Sequence, residues 1–494
     1  MRRRILPVLL VAASLPAMAA EPAPSLEFKS SVLRLNSTVQ AWSAGQPWEK
    51  ALPSSRRALA AIIAPQQVIT TAEMVADATN LEFESPDGTR FAQAKVLAVD
   101  YEANLALLGP ATAAAGAKLF ANTTPLDIAP PPSIGTILDI YQIEDNGTAL
   151  RTSGTVQSID VSSTFLPSHN FLTYMVKASM QSAASSYTVP VLAHGKLAGL
   201  LSSYNSKDQI CEVCATAIIA RFIKAASHHP YTGFPSLGVA VAFTEDPQLR
   251  QWLKLPDDQG GVYISAVRKG SAAQAAGIRK GDVLLAFDGY QIDRRGYFQH
   301  PQYGSLSWGH LARGEHAVGD VVTLALLRDG QPLEVQASLT REEEQARLVP
   351  NYTFEHAPNY LVKGGFIFQE LTLPMLQAFG EDWNSRAPLN LLDIYQNPES
   401  YQDRAERVVV LSGVIPTPAT VGYESLRNLV VRKVNGKDIR NVKGLIAAFH
   451  SQPGELQAIE FAEDNFTIYL DEACSAAVDK QLLQRGIPHL SRAE

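Results

Sequence analysis

Cysteine is scarce. Three in 494 residues exclude a disulfide-built scaffold and a cysteine-rich zinc fold. Histidine is absent from the first third of the chain: all ten lie at or beyond His169. Basic blocks are missing outside the extreme N-terminus. With Lys plus Arg at 42 and Asp plus Glu at 49, the formal net charge is −7, which argues against holding nucleic acid by charge. Past the first residues no apolar run is long enough to span a bilayer. What is present suffices for real cores: hydrophobic residues make up 46% and charged residues 18%. At roughly 100–200 residues per domain, the length predicts three or four domains.

Residues 1–20, MRRRILPVLLVAASLPAMAA, set three arginines before a short apolar run and end in small residues at Ala17, Ala19 and Ala20. That is the pattern of a cleaved secretory signal, so an exported protein, periplasmic or secreted, is expected. Cys211 and Cys214 form a C-x-x-C with no second pair or histidine cluster to complete a zinc site. A small local disulfide in an oxidising compartment is one reading, and two ordinary thiols the other.

Three blocks follow. Residues 21–229 alternate short apolar segments with turn signals, including Asp87-Gly88 and His194-Gly195, as an all-β barrel or sandwich does. The stretch 111–120, ATAAAGAKLF, separates two such sets, and 215–229 has helical spacing. His194 is expected in solvent at its turn, and His228-His229 as a polar stop before Pro230 rather than a metal site. Residues 230–342 read strand, turn, short helix, turn, strand. Ser271 is placed to cap the helix, Gly277 to end it, and Asp329-Gly330 to turn a hairpin. Residues 343–494 repeat the pattern in weaker form.

The 230–342 block resembles a PDZ domain. GSAAQAAGIRKGDVLLAFDG matches the helix–strand core, and Ser236-Leu237-Gly238-Val239 matches the carboxylate-binding loop. In that fold the loop amides hold a terminal carboxylate while an adjacent strand edge pairs with an extended peptide. GGFIF at 364–368 can be set on the same loop in the second block, where a packing or assembly role is favoured. The insert 296–320, rich in aromatics, is expected to cover the first groove or contact a neighbour.

Signal, β-rich block and two PDZ-like blocks together resemble the HtrA/Deg family of trypsin-like serine proteases, in its plant and fungal Deg branch. YTGFPSLGV, FDGYQID, VGYESLRNLVVRKVNGKDIRNVKGL and GIPHL carry the likeness. The resemblance implies a mainly β chain: a trypsin-like double β-barrel (21–229) followed by two PDZ-like α+β domains (230–342 and 343–494). It also implies a homo-oligomer, a trimer or a multiple of three.

A protease of this kind needs a serine, a histidine to take its proton and an aspartate to orient the histidine. The family's T-N-A-H-V-V corresponds here to Thr70-Thr71-Ala72-Glu73-Met74-Val75, which puts Glu73 at the histidine position. Its D-L-A-L-L corresponds to Asn104-Leu105-Ala106-Leu107-Leu108, which puts Asn104 at the aspartate position. Counting back from Pro190 puts Tyr187 at the serine; a two-residue shift puts Ser185 there, beside Ser186. Ser185 to Val189 has no glycine for the turn whose amides hold the oxyanion. No triad position is intact, so a pseudoprotease that binds peptides or protein C-termini is expected, with no cofactor, metal, nucleic acid or membrane span. The alternative is an active endopeptidase in which Glu73 serves as base.

Overall fold

The structure, a computed structural model, describes residues 26–163, 165–180, 188–451, 456–463 and 466–494. Two closed six-stranded barrels open the chain. The first comprises β1 (Val32–Val39), β2 (Ser54–Ala64), β3 (Gln67–Thr70), β4 (Ala78–Glu84), β5 (Phe91–Asp100) and β6 (Leu105–Pro110), joined in the order β1-β2-β3-β6-β5-β4. After a short helix, Ala113–Leu119, come β7 (Ile137–Ile143), β8 (Ala149–Ser162), β9 (Phe171–Lys177), β10 (Val189–Ala193), β11 (Lys196–Asn205) and β12 (Ile210–Ala215). They close in the order β10-β11-β12-β9-β8-β7. Closure removes the sheet edges that would otherwise be open to pairing. The helix Thr216–Ala226 ends this half, its buried Ile218, Ile219 and Phe222 lying on one face as the spacing predicts.

The third unit is a sheet of β13 (Val239–Ala242), β14 (Val262–Val267), β15 (Val283–Phe287) with the short β16 (Tyr290–Gln291), and β19 (Val321–Arg328) and β20 (Gln331–Ser338). Its order is β13-β14-β15-β19-β20, which leaves β13 at an edge. Ser271 caps the helix Ala272–Ala275 by accepting from the Gln274 amide at 3.2 Å. His194-Gly195 and Asp329-Gly330 both hold positive φ at consecutive residues, the backbone twist that a tight hairpin requires.

The insert is a hairpin, β17 (Tyr297–His300) and β18 (Gly304–Ser307), followed by the helix Gly309–Glu315. The hairpin lies against the second barrel: Phe298, Tyr303 and Leu306 are buried, and the Gln302 amide donates to the Pro131 carbonyl at 3.4 Å. The apolar core is continuous from Leu105 and Leu138 through Val213 and Phe222 to Phe298, Leu311 and Leu324. Barrel and first PDZ unit therefore share one interior.

The last unit holds β21 (Tyr360–Lys363), β22 (Phe366–Glu370), β23 (Val409–Val414), β24 (Leu429–Val434) with β25 (Lys437–Asp438), β26 (Leu456–Phe461), β27 (Thr467–Asp471) and β28 (Ser491–Arg492). Its order is β27-β26-β24-β23-β22-β21-β28. A loop of the first barrel reaches into it. Trp48, 8% exposed, packs among Tyr360, Val362, Ile367, Val478 and Leu482.

The C-x-x-C pair is not bonded. Cys211 and Cys214 are both free and buried on β12. Three residues of extended strand separate their Cα atoms by about 10 Å and point the side chains to opposite faces, beyond the ~7 Å a disulfide spans. Burial pushes both thiols up to about 12. Among the described residues no helix is long and apolar enough to cross a membrane.

Candidate functional site

Among the described residues, the segments aligned with a protease histidine and aspartate meet. Glu73 sits in a single 3-10 turn, Ala72–Met74, just after β3. Its backbone N–H donates to Asn104 Oδ1 at 3.0 Å. Asn104 is 1% exposed and takes a left-handed φ of 54°, so its side chain is fixed by its own backbone as well as by this bond. The Thr71 hydroxyl donates to Glu73 Oε1 at 3.1 Å, and its oxygen lies 2.5 Å from the Thr188 hydroxyl. The Thr188 carbonyl in turn accepts from the Leu59 amide at 2.9 Å. These contacts staple the first barrel to the start of β10 in the second. Burial raises the Glu73 carboxyl above its ordinary value, opposed by the Thr71 hydroxyl, the Arg56 charge and Asn104.

Tyr187, Ser185 and Ser186 lie outside the described residues, as does the segment 1–20. The first imidazole in the chain, His169, is 1% exposed and already engaged. Its Nε2 accepts from the Asn351 amide at 3.2 Å, while Nδ1 faces Glu102 at 3.2 Å, which also pairs with Arg313 at 3.2 Å.

Among the described residues two groups of side chains bring metal-ligand atoms together, and neither suits a cation. Glu102, His169 and Glu344 converge, but Arg313 and Arg347 already supply the positive charge there. His300, His310 and Glu315 also converge. His300 Nδ1 accepts from the amides of Gln302 and Tyr303 at 3.1 and 3.2 Å. Its proton is thus on Nε2, and that nitrogen offers Glu315 a hydrogen rather than a metal a lone pair. His194, His228 and His229 are exposed.

The loop Ser236-Leu237-Gly238-Val239 leads into the edge strand β13. The Ser236 amide donates to the Thr340 carbonyl at 2.8 Å, and its hydroxyl accepts from the Gly238 amide at 3.1 Å. The Leu237 and Gly238 carbonyls accept from Ala273 and Arg268, both at 2.9 Å. Gly238 has φ 77°, and a Cβ there would stand 2.2 Å from Ser271 Cβ. Only glycine fits. The loop opens on a cleft of about 1500 Å3, bounded by Val239 and Ala240 on one side and Trp308 and Ala312 on the other. Arg440 and Lys443 of the last unit face it.

GGFIF, by contrast, leads into a strand with no open edge, since β22 pairs with β21 on one side and β23 on the other. Gly364-Gly365 turn a hairpin in which β21 pairs along β22, and the Gly364 amide donates to Asp479 Oδ1 at 2.7 Å. The position is closed by the chain itself, in keeping with a packing role.

A PDZ domain model matches residues 235–339, and another matches residues 349–490. Protease Do-like 2, chloroplastic, of Arabidopsis thaliana is 26% identical over 467 residues, 93% of this chain and 74% of that protein. Putative protease Do-like 3, mitochondrial, of the same plant is 23% identical over 92% of this chain and 78% of its own length. The chain belongs to the HtrA/Deg family. Among solved structures, the HtrA-type protease AlgW with a decapeptide aligns with 64% of this HtrA/Deg chain and 97% of its own, at 18% identity and a TM-score of 0.47. As an HtrA/Deg protein it carries the double barrel followed by PDZ domains that the sequence implied.

Sequence reasoning missed two features of this HtrA/Deg chain. It did not foresee the bond between Thr71 and Thr188. It also passed over Trp48, whose only signal is an isolated aromatic in a polar loop.

Proposed function

We propose that this chain is a non-catalytic HtrA/Deg protein that binds extended peptides through the loop 236–239 and the β13 edge. The observation that carries the reading is Glu73. It stands where the family has its general base, with its carboxylate held by Thr71 and its backbone held by Asn104. The first barrel supplies no imidazole at all. A serine hydroxyl without a base is a poor nucleophile at neutral pH. An amide at position 104 accepts a backbone N–H but does not stabilise an imidazolium.

In the first PDZ domain the fixed glycine loop, the unpaired strand edge and the adjoining cleft fit a peptide ending in a free carboxylate. Export, removal of residues 1–20 and assembly as a trimer or a multiple of three belong to the same proposal; they rest on the N-terminal pattern and the family resemblance. One observation favours the alternative, an endopeptidase using Glu73. A carboxyl raised by burial is closer to a working base than an ordinary one.

Purified protein is incubated with casein and, separately, with a fluorophosphonate probe, alongside Ser185→Ala and Ser186→Ala variants. No cleavage and no seryl adduct are expected; serine-dependent turnover would refute the proposal. A library of C-terminal peptides is expected to give hits that disappear with Gly238→Glu. A wild-type protein that binds none of them rules out the peptide-binding half.

A further inference from the structure

The leading segment of the second PDZ unit, ahead of β21, contains Asn351, Tyr352, Thr353, Phe354 and Glu355, and it lies across loops of both barrels. The buried Asn351 bonds His169. The Tyr352 ring is 5.4 Å from Tyr101. The Phe354 ring is 4.8 Å from Tyr101 and 5.6 Å from Phe165, stacked on the latter at 13°. The Tyr101 hydroxyl donates to Glu355 Oε1 at 2.6 Å, and the Glu355 amide donates to Asp77 Oδ1 at 3.4 Å. Glu355 holds this position with a left-handed φ of 64°, uncommon for a non-glycine residue.

Two anchors of the segment lie near the aligned Glu73 and Asn104 in sequence. Asp77 is four residues beyond Glu73, and Tyr101 three before Asn104. Arg56 donates to the Glu73 carbonyl, and its charge also acts on Asp77. Phe165 and His169 share the loop between β8 and β9 in the second barrel. The segment thus runs from the second barrel to the first beside the Glu73–Asn104 pair, its two rings one residue apart in sequence and both on Tyr101.

We infer that Tyr101 and Phe165 form a subsite for an aromatic side chain of an extended polypeptide, and that residues 351–355 are a strap filling it in cis. The subsite is of the barrels, separate from the first PDZ loop, and does not rest on the peptide-binding reading. A strap of this kind lowers the apparent affinity for any competing chain by the fraction of time it stays closed, so weakening it exposes the site.

The test uses the full chain in a Gly238→Glu background. The probe is a fluorescein-labelled peptide Pro-Asn-Tyr-Thr-Phe-Glu-His, acetylated and amidated so that it offers no terminal carboxylate. Tyr352→Ser with Phe354→Ser is expected to bind it at least about tenfold more tightly than the parent. A peptide with both rings replaced by alanine should not bind, and adding Tyr101→Ser should abolish binding. Equal affinity for parent and double variant, with unchanged circular dichroism, overturns the strap. Binding that survives Tyr101→Ser overturns the subsite. Should the double variant fail to fold, Phe354→Leu alone is expected to raise affinity about threefold, and no rise there overturns the inference.

Discussion

Substituting Gly238 by alanine separates the two reasons for a glycine in the first PDZ loop. The left-handed backbone, at φ 77°, is the first. An L-residue held there costs roughly 1–2 kcal/mol. The second is space: the new Cβ would stand 2.2 Å from Ser271 Cβ and 2.9 Å from its Oγ. Ser271 cannot retreat easily, because its hydroxyl caps the helix Ala272–Ala275 and donates to the Arg268 carbonyl at 2.7 Å. Overpacking of this kind costs typically ~1–3 kcal/mol. Together the penalties reach about 2–5 kcal/mol. The bonds that hold the loop are those of the Gly238 and Ser236 amides and of the Leu237 and Gly238 carbonyls. At a net ~1 kcal/mol each they contribute roughly as much as the penalty. The loop should therefore give way while the core beneath it survives. Gly277 supplies the control: its φ is 74° and nothing lies within 4 Å of its added Cβ. Affinity for a C-terminal peptide, read by fluorescence anisotropy, should fall at least about thirtyfold in Gly238→Ala. In Gly277→Ala it should stay near wild type. An alanine at 238 that binds within twofold of wild type, or melts no lower than Gly277→Ala, refutes the steric account.

Replacing Trp48 by alanine should destabilise the docking of the last unit on the first barrel by about 3–5 kcal/mol, because its ring is buried among five apolar residues of that unit. Urea unfolding should then show the last unit melting earlier; a shift below about 1 kcal/mol contradicts the packing argument. Glu73→Gln tests the buried carboxyl. Its folded-state pKa is raised above the reference of 4.5, so the wild type loses stability as pH climbs from that value through the folded one, and glutamine does not. The variant should be the more stable at pH 7, with the gap closing as pH drops below 4.5; a gap that persists in acid shows the effect is not ionisation. For the thiols, alkylation of unfolded, unreduced protein should count all three cysteines as free. In the native state Cys211 and Cys214 should resist maleimide while the half-buried Cys474 reacts, and two missing thiols would reveal a disulfide.

The parts of the fold visible in sequence were those whose cause is local. Asp329-Gly330 and His194-Gly195 declare hairpins because so few residues tolerate positive φ. Ser271 and Gly277 mark both ends of a one-turn helix for the same kind of reason. What stayed hidden was partnership. The aromatics of 296–320 looked exposed, as a cover for the first groove or a contact for a neighbour, but Phe298 and Leu306 are buried in the interior shared with the second barrel. Cys211 and Cys214 looked like a pair because they are close in sequence. On a strand, three residues apart means opposite faces and a gap no disulfide spans. GGFIF has the glycines of a carboxylate loop, yet Asp479, more than a hundred residues away, takes the Gly364 amide.

The pair aligned with a protease histidine and aspartate divides along the same line between position and charge. Glu73 and Asn104 come together because β3 and β6 are adjacent in the barrel, paired Val68 to Leu108 and Thr70 to Ala106. That pairing brings the loop after β3 beside the loop before β6 whatever residues stand there. Asn104 then keeps the geometric task of a carboxylate, accepting the backbone N–H of residue 73. It abandons the electrostatic task, since an amide carries no charge to hold an imidazolium. Its side chain bears on the Glu73 carboxyl as a neutral hydrogen-bonding group, not as a charge. Scaffold and chemistry are thus separable. The bond to residue 73 belongs to the scaffold, because losing it would unsettle the loops after β3 and before β6, whereas the charge at position 104 belongs to the chemistry alone.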